Sequence, residues 1–436
     1  MRRSDLAWVA VVALAVFALA TRNGMAVWPD TVSYMDMAAA IRAGNDPGPN
    51  FPPLFPLMLA LFGSARFING ACFAISALLV TIAVWRESNH RWAALFAGSL
   101  AITAPPVLDI GTSAQSEPLY ISLVLAGLLT SSGLLIGLAC ATRYAGLPML
   151  LLGSARTRTL AYALPAVLPL GAVIVKNWLR SGAATNREMH VRMPSIELLI
   201  EGATNVARWL VPFLHQTPLR YVIAGAVIVL LARNWRNVFA QAALAHVSFV
   251  WISQALLDAA IVFDDRLLLP FFYLALPACA IAAARDRRAT VVLAGLALLS
   301  AVRCVYWFAT DDFNRLFFNA PRHTSSQALR FVRELPPDVA VVSNADDLIR
   351  FQTGRPAVRL PDAVGFTTAL PRPQWCEELK AMTKGRDTWI VWLEFGEDRD
   401  HLPQPATLPG CLNLEPSRTF GDGRAFHVST AAALSK

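Results

Sequence analysis

The stretch that decides the fold is MAVWPDTVSYMDMAAAIRAGNDPGPNFPPLFPLMLALFG, residues 25–63, which directly follows the first apolar segment of the chain. It places an acid, Asp30, beside that segment, continues as a short helix and breaks at a Gly/Pro/Asn turn. It then returns to an apolar run through the prolines of FPPLFP, residues 51–56. A carboxylate at the end of a membrane span, followed by a stiff proline re-entry, indicates a loop built at the membrane surface.

The composition indicates a membrane protein. Of the 436 residues, 55% are hydrophobic and 16% are charged, whereas a soluble domain carries about 25% charged residues. Apolar runs fill residues 6–308 and then stop, so we predict a multi-span membrane domain at 1–308 and a soluble domain at 309–436. The net charge of +8 does not indicate nucleic acid, because the basic residues cluster in short links between spans, where they set orientation.

The membrane domain is predicted to be polytopic and α-helical, with about eleven membrane helices and additional interfacial helices. The first helix is interpreted as uncleaved rather than as a signal peptide, because many spans follow it. The short basic links fit the cytoplasmic side, so the long links and the soluble domain are expected to be extracytoplasmic. Single spans are predicted at 6–21, 67–85, 92–104, 118–130, 160–177, 218–232, 238–257, 267–284 and 289–308.

The segment 131–159 has two interpretations. As one helix, it would hold Arg143 in the middle of the bilayer, at a cost of about 2.5–3.5 kcal/mol or more. As two half-length helices that meet at TRYAG, residues 142–146, it keeps its basic end inside and brings Arg143 to the opposite face. Non-helical backbone at that depth is tolerated where it lines a cavity within the protein. We favour this hairpin.

Acidic side chains gather in the links on the extracytoplasmic face. Asp30 lies in the first turn of a helix, with Tyr34 on the same helix face one turn later. Such an acid is often only a partner of the helix dipole, but an ionised carboxylate at this depth can also serve as a general base or a metal ligand. Asp109 and Glu117 lie in a neighbouring link. Carboxylates from two loops facing one cavity would suit a divalent cation, Mg²⁺ or Mn²⁺.

Basic and aromatic side chains are expected at the same level. Arg143 and Tyr144 lie at the tip of the hairpin, Lys176 at the end of a span, and Arg266 at the start of another. The forked guanidinium of arginine binds phosphate well, although a basic residue at a helix end is often only reaching the interface. Acids beside cations at headgroup depth suit a substrate with an apolar tail and a phosphate head, attacked by a nucleophile that must lose a proton.

The chain contains, in this order, the motifs DTVSYMDMAAAIRAG with FPPLFPLMLAL, TSAQSEPLYISL, GLACATRYAGLPMLL, KNWLRSG and RLLLP. As an ordered set, these motifs resemble the GT-C superfamily of membrane glycosyltransferases. The resemblance is to bacterial family-39-like enzymes, which are related to protein O-mannosyltransferases and the lipid A aminoarabinose transferase, and it covers most of the chain. It implies an inner-membrane enzyme that transfers a sugar from a polyprenyl-phosphate donor to a lipid, glycan or protein acceptor.

The resemblance also implies roles for individual residues. Asp30 corresponds to the general base that deprotonates the acceptor hydroxyl, with inversion at the anomeric carbon. Arg143 corresponds to a basic position that contacts the donor phosphate, and Glu117 to an acid that can join a metal site. Many relatives carry paired acids in the first loop, whereas Asp30 is flanked by Pro29 and Thr31. This departure leaves metal dependence open and puts more weight on Asp30.

The tail is predicted to be a small α/β domain, because helical and strand patterns alternate along it. It shows no set of nucleophile, base and orienting residue, so we expect a recognition or structural role. Its histidines His323, His401 and His427 lack metal-like spacing and are expected to be solvated. Helices are predicted at 324–335 and 345–354, and strands at 338–343, 356–360, 387–395 and 424–430.

The six cysteines fall into two groups. Four lie in predicted spans, where they are expected to be small core residues. Cys376 and Cys411 lie in the tail, 35 residues apart, and an oxidising compartment would permit a disulfide between them.

Three other functions are compatible with the sequence. A transporter or flippase of lipid-linked sugars would need cations for phosphate but no general base. A non-catalytic envelope scaffold would depend on its tail alone. A transferase that uses an oligosaccharide donor would have the same fold as one that uses a monosaccharide.

Overall fold

The computed structural model describes residues 1–49, 51–182, 196, 200, 203–204, 218–257, 265–310, 316–365, 370–394, 401–415 and 418–428. The chain divides into two compact units. The first contains residues 1–26 and the described residues of 34–312. The second contains residues 27–33 and the described residues from 316 onward.

The regular elements among the described residues up to 310 are helices, because in lipid each peptide group must find its hydrogen-bond partner within the protein. Its helices are α1 (Arg3–Ala20), α2 (Pro29–Arg42), α3 (Leu54–Phe62), α4 (Ala65–Ser88), α5 (Arg91–Thr103), α6 (Pro105–Gly111), α7 (Glu117–Thr130), α8 (Gly133–Thr142), α9 (Leu147–Thr157), α10 (Leu160–Ser181), α11 (Pro218–Arg233), α12 (Val238–Ile252), α13 (Asp265–Ala283) and α14 (Arg287–Ala309).

By length and composition, six helices among the described residues are able to cross a membrane. The number becomes seven if α5 and α6 form one span, which bends by 51° where the helix meets Pro105 and Pro106. Proline removes a backbone donor and disfavours helical geometry in the residue before it, which explains the break. The chain is therefore a multi-pass membrane protein, while the count of about eleven membrane helices stays a prediction.

The hairpin at Arg143 is confirmed. Helix α8 ends at Thr142, Arg143 is extended with φ −151° and ψ 134°, and a single 3₁₀ turn leads into α9. A Cβ atom added at Gly133 would overlap the carbonyl oxygen of Tyr162, and one added at Gly153 would overlap its hydroxyl oxygen. A continuous helix would separate these two glycines by about 30 Å, so the chain turns back at Arg143.

The second unit contains a five-stranded mixed sheet in the order β2-β1-β3-β5-β4. The first three strands in this order are parallel, and β5 and β4 are antiparallel to their neighbours. The elements predicted from the tail are confirmed, while α15, α18 and β4 were not predicted. The strands are β1 (Ala340–Ser343), β2 (Val358–Arg359), β3 (Thr388–Leu393), β4 (Arg418–Phe420) and β5 (Gly423–Val428), and the helices are α15 (Pro321–Thr324), α16 (Gln327–Glu334), α17 (Asp346–Thr353) and α18 (Trp375–Thr383).

Helices cover both faces of this sheet, because side chains alternate between the faces along each strand. One face packs Val341, Val391 and Ala425 against α16 and α17. The other packs Ile390 and Phe426 against α18 and the loops near Cys411. We refer to these two apolar clusters as the first face core and the second face core.

Cys376 and Cys411 form a disulfide across the second face core. The sequence permitted this bond, and the structure contains it. Replacing both cysteines with serine should lower the free energy of unfolding of this domain by about 2–4 kcal/mol, because the bond restricts a long loop in the unfolded chain. Denaturant unfolding followed by hydrogen exchange in β3 measures the loss, with Cys279→Ser as the control. A domain as stable without the bond as with it would contradict the prediction.

The tail histidines differ from the expectation of solvated side chains. His323 is buried, which lowers its pKa to about 4. His427 lies between two carboxylates, with Nδ1 2.7 Å from Glu415 Oε2 and Nε2 2.7 Å from Asp387 Oδ1. Both ring nitrogens donate only when the imidazole is protonated. The hydrogen bond to Glu415 therefore raises the pKa of His427 above its usual value. Burial acts in the opposite direction, and the hydrogen bond to Asp387 adds to the increase.

The stability of the tail domain is expected to fall as the pH rises through the raised pKa of His427. A raised pKa in the folded state means that the stabilisation is fully present below the unfolded value of about 6.5 and is lost above the folded value. Unfolding midpoints measured from pH 6 upward should show this decline, and His427→Gln should flatten it. An identical decline in His427→Gln would assign it to another group.

Candidate active site

The link between α6 and α7, residues 112–116, is buried against α4. The fully buried amide of Asn69 donates hydrogen bonds to the carbonyl oxygens of Ser113 at 2.7 Å and Gln115 at 2.9 Å. Because lipid offers no partners to an irregular backbone, the side chain of Asn69 supplies them. The chain is thus fixed just before Glu117, the first residue of α7.

Glu117 and Arg143 form a buried ion pair in the first unit. Arg143 Nη1 donates to Glu117 Oε1 at 2.7 Å and to Ser116 Oγ at 3.2 Å. The side chain of Glu117 is fully buried, and that of Arg143 is 18% exposed. A buried carboxylate is stable only beside a cation and hydrogen-bond donors, so the two residues hold each other in place. The guanidinium of Arg143 is thereby fixed at the tip of the hairpin.

Tyr34 joins this network through Ser116. The Tyr34 hydroxyl lies 3.2 Å from Ser116 Oγ. Its ring packs edge-on against Phe51 and Phe55, with centroids 4.8 and 5.2 Å away, and only 3% of the residue is exposed. The FPPLFP segment that follows α2 therefore packs around the Tyr34 ring and holds its hydroxyl near Ser116. The predicted contact between Tyr34 and substrate stays a prediction.

Lys176 takes part in a separate cluster at the end of α10. Its Nζ lies 2.9 Å from Asp46 Oδ1, and Arg180 pairs with the other carboxylate oxygen. These hydrogen bonds, the one from Lys176 first, hold the pKa of Asp46 below its usual value, although burial acts in the opposite direction. The loop after α2 is therefore tied to α10, and the predicted role of Lys176 in substrate binding stays a prediction.

The other predicted residues of the first unit lie in different surroundings. Tyr144 follows Arg143 in the 3₁₀ turn and is half-buried. Arg266 is the second residue of α13 and is also half-buried. Asp109, in α6, accepts a hydrogen bond from Trp307 Nε1 at 2.9 Å.

The residues described here do not by themselves form a divalent-cation site. Glu117 is bonded to Arg143 and Asp109 to Trp307, and across the described ranges no three His, Cys, Asp or Glu side chains converge as a metal would require. The predicted Mg²⁺ or Mn²⁺ stays a prediction, and we derive no step through it.

Asp30 belongs to the second unit. It is half-buried in the first turn of α2. Beside it, the main-chain N–H of Trp28 donates to Thr31 Oγ1 at 3.1 Å, and Thr31 N–H donates to the carbonyl oxygen of Trp28 at 2.9 Å. These two hydrogen bonds between Trp28 and Thr31 therefore fix the turn that contains Asp30.

Sequence reasoning missed three residues that shape these sites. Asn69 had a usable signal, because an amide inside a predicted span is costly in lipid and indicates a partner. Ser116 precedes Glu117 and looks like an ordinary residue before a helix. Asp46 lies in the Gly/Pro/Asn turn, where an acid is common, so its pairing with Lys176 had no sequence signal.

These observations define a class: a multi-pass helical membrane protein with a buried charged network and an α/β domain near its C-terminus. No family model matches the sequence, and no curated protein matches it. The structure does match solved structures. It is similar to ArnT from Cupriavidus metallidurans bound to undecaprenyl phosphate, with a TM-score of 0.52, 15% identity and 100% of both chains covered.

Two further structures are similar at lower scores. They are the apo state of the same ArnT (TM-score 0.46, 13% identity, 99% of both chains) and the arabinofuranosyltransferase AftD from Mycobacteria (TM-score 0.45, 13% identity, 98% of this chain and 40% of that chain). The match to ArnT bound to undecaprenyl phosphate shows that the chain has the fold of ArnT, and the resemblance inferred from its motifs is confirmed at the level of the fold.

Proposed function

We propose that this chain is a membrane glycosyltransferase that moves a sugar from a polyprenyl-phosphate donor to an acceptor on the extracytoplasmic side of a bacterial inner membrane. The observation that carries the proposal is the guanidinium of Arg143, fixed at the tip of the hairpin by the buried Glu117 and still partly exposed. The GT-C fold over the whole chain supports it, as does the undecaprenyl phosphate bound by ArnT.

In the proposed reaction, the Asp30 carboxylate takes the proton of the acceptor hydroxyl. The hydroxyl oxygen attacks the anomeric carbon, the bond from that carbon to the phosphate oxygen breaks, and its electron pair leaves with the polyprenyl phosphate. The configuration at the anomeric carbon inverts. Arg143 stabilises the negative charge that grows on the phosphate, which is an electrostatic contribution already in place before the reaction.

Glu117 is assigned an orienting role in this proposal. Its carboxylate fixes the guanidinium, and it does so without exposure to water. Because a bidentate arginine must match the phosphate oxygens in direction as well as in charge, an arginine held in one orientation is a better ligand than a mobile one.

The disulfide supports the proposed sidedness. Such bonds persist in oxidising compartments and are rare in the bacterial cytoplasm. The bond between Cys376 and Cys411 therefore favours an extracytoplasmic tail domain.

Mass analysis of envelope lipids, glycans and proteins in cells with and without the chain tests the proposed function. Cells without it should lose a sugar from one acceptor and accumulate the polyprenyl-phosphate sugar. Purified protein in nanodiscs should then release polyprenyl phosphate from that donor only when the acceptor is present. Movement of intact donor between leaflets without release would instead show a flippase.

A further inference from the structure

The segment that presents Asp30 is part of the second unit. The main-chain N–H of Val27 donates to the carbonyl oxygen of Leu316 at 3.2 Å, and the N–H of Phe318 donates to the carbonyl oxygen of Val27 at 3.1 Å. These two bonds form a parallel β-bridge between Val27 and Phe317. The residues just before Asp30 are thus paired with the start of the tail.

Side chains reinforce this bridge. The rings of Trp28 and Phe317 lie against each other, with centroids 3.5 Å apart. Phe317 has a φ of 50°, a left-handed conformation that residues other than glycine and asparagine rarely adopt. A non-glycine residue keeps such a backbone only where its surroundings fix it, and the bridge and the stacked ring of Trp28 do so here.

Two valines on either side of Asp30 enter the first face core. Val27 and Val32 are each 3% exposed and pack in the cluster that contains Leu329 and Val341. The main chain is therefore anchored three residues before Asp30 and two residues after it. Between these anchors, the hydrogen bonds of Thr31 with Trp28 close the turn.

We propose that the tail domain positions Asp30, with Trp28 and Phe317 as positioning residues. The inference rests on the proposed role of Asp30 as general base. It gives the tail domain a function other than acceptor recognition, because contacts with this domain hold the main chain on both sides of Asp30 in place. Weakening the contacts between residues 27–33 and the rest of the tail domain should lower the turnover number and leave the binding of the donor lipid unchanged.

Hydrogen exchange and kinetics on the full-length protein in nanodiscs test this inference. In Trp28→Ala and in Phe317→Ala, amides of residues 27–33 should exchange at least about tenfold faster. The turnover number should fall by about 10- to 100-fold, since small displacements of a catalytic group have effects of this size. The Kd for undecaprenyl phosphate should stay within about twofold of wild type.

Two further variants separate positioning from general loss of stability. Trp28→Phe keeps a ring on Phe317 and should restore most of the turnover lost in Trp28→Ala. Trp375→Ala removes a comparable ring from the second face core, and it should leave exchange in residues 27–33 at the wild-type rate. Unchanged exchange in Phe317→Ala, or equal loss of turnover in Trp28→Phe and Trp28→Ala, would overturn the inference.

The same data distinguish failure of the inference from failure of the proposed function. If Asp30→Asn keeps full turnover, the general base is assigned wrongly, whatever the exchange rates are. If Asp30→Asn is inactive and Phe317→Ala keeps full turnover with slow exchange in residues 27–33, the base is right and the role of the tail is wrong.

Discussion

Replacing Asp30 with asparagine should lower the turnover number for sugar transfer by about 10²–10⁴-fold, the usual contribution of a general base. The amide has nearly the same shape but cannot take a proton from the acceptor hydroxyl. Binding of undecaprenyl phosphate to the purified variant should be unchanged, because the donor phosphate is assigned to Arg143. Turnover is measured as release of polyprenyl phosphate, and binding as a Kd by native mass spectrometry.

Asp36→Asn is the matched control for this variant. Asp36 lies on the same helix and is exposed, so its replacement removes the same charge without touching the proposed base. Full turnover in Asp30→Asn would end the assignment of Asp30. Equal losses in both variants would show that the acidic character of α2 matters rather than one carboxylate.

Neutralising the Arg143–Glu117 pair should weaken undecaprenyl phosphate binding by at least about tenfold, since a hydrogen bond to a charged group contributes about 1.5–3 kcal/mol. Turnover should fall by about 10²–10³-fold, as when one electrostatic donor to the transition state is lost. The single variant Arg143→Gln is a poor test, because it leaves the Glu117 carboxylate buried without its cation, at a cost of about 3–5 kcal/mol.

The double variant Arg143→Gln/Glu117→Gln avoids this difficulty. It removes both charges together and retains hydrogen-bonding groups near Ser116, so the fold should persist. Arg156→Gln, at the opposite end of α9, controls for the loss of one positive charge. A folded double variant that binds undecaprenyl phosphate as tightly as wild type would contradict the assignment of Arg143.

Much of the fold follows from local sequence rules. The break at Arg143 was predicted from the cost of an arginine within the bilayer, and the glycines that touch Tyr162 confirm it. The tail elements were predicted from their periodicity, including the glycine that ends α17 at Gly354, whose φ is 67°. Signals of this kind lie within a few residues of the feature that they predict.

The candidate site is less predictable, because its contacts join distant parts of the chain. Both Glu117 and Arg143 were identified from the sequence, but Glu117 was assigned to a metal site and Arg143 to the donor phosphate. The ion pair between them is a tertiary contact, which the local sequence does not indicate. The bridge between Val27 and Phe317 is made by main-chain groups. Every residue except proline carries both a main-chain donor and a main-chain acceptor, so the side-chain sequence does not predict which residues form the bridge.

The oxidation state of Cys376 and Cys411 reports whether the tail domain folded in an oxidising or a reducing compartment. The other cysteines, Cys72, Cys140, Cys279 and Cys304, are thiols. A chain whose tail folded in an oxidising compartment should therefore react, once denatured, with four equivalents of an alkylating reagent, whereas a chain whose tail stayed in a reducing compartment should react with six. Counting added mass on the intact protein then reports membrane orientation directly, without any fused reporter.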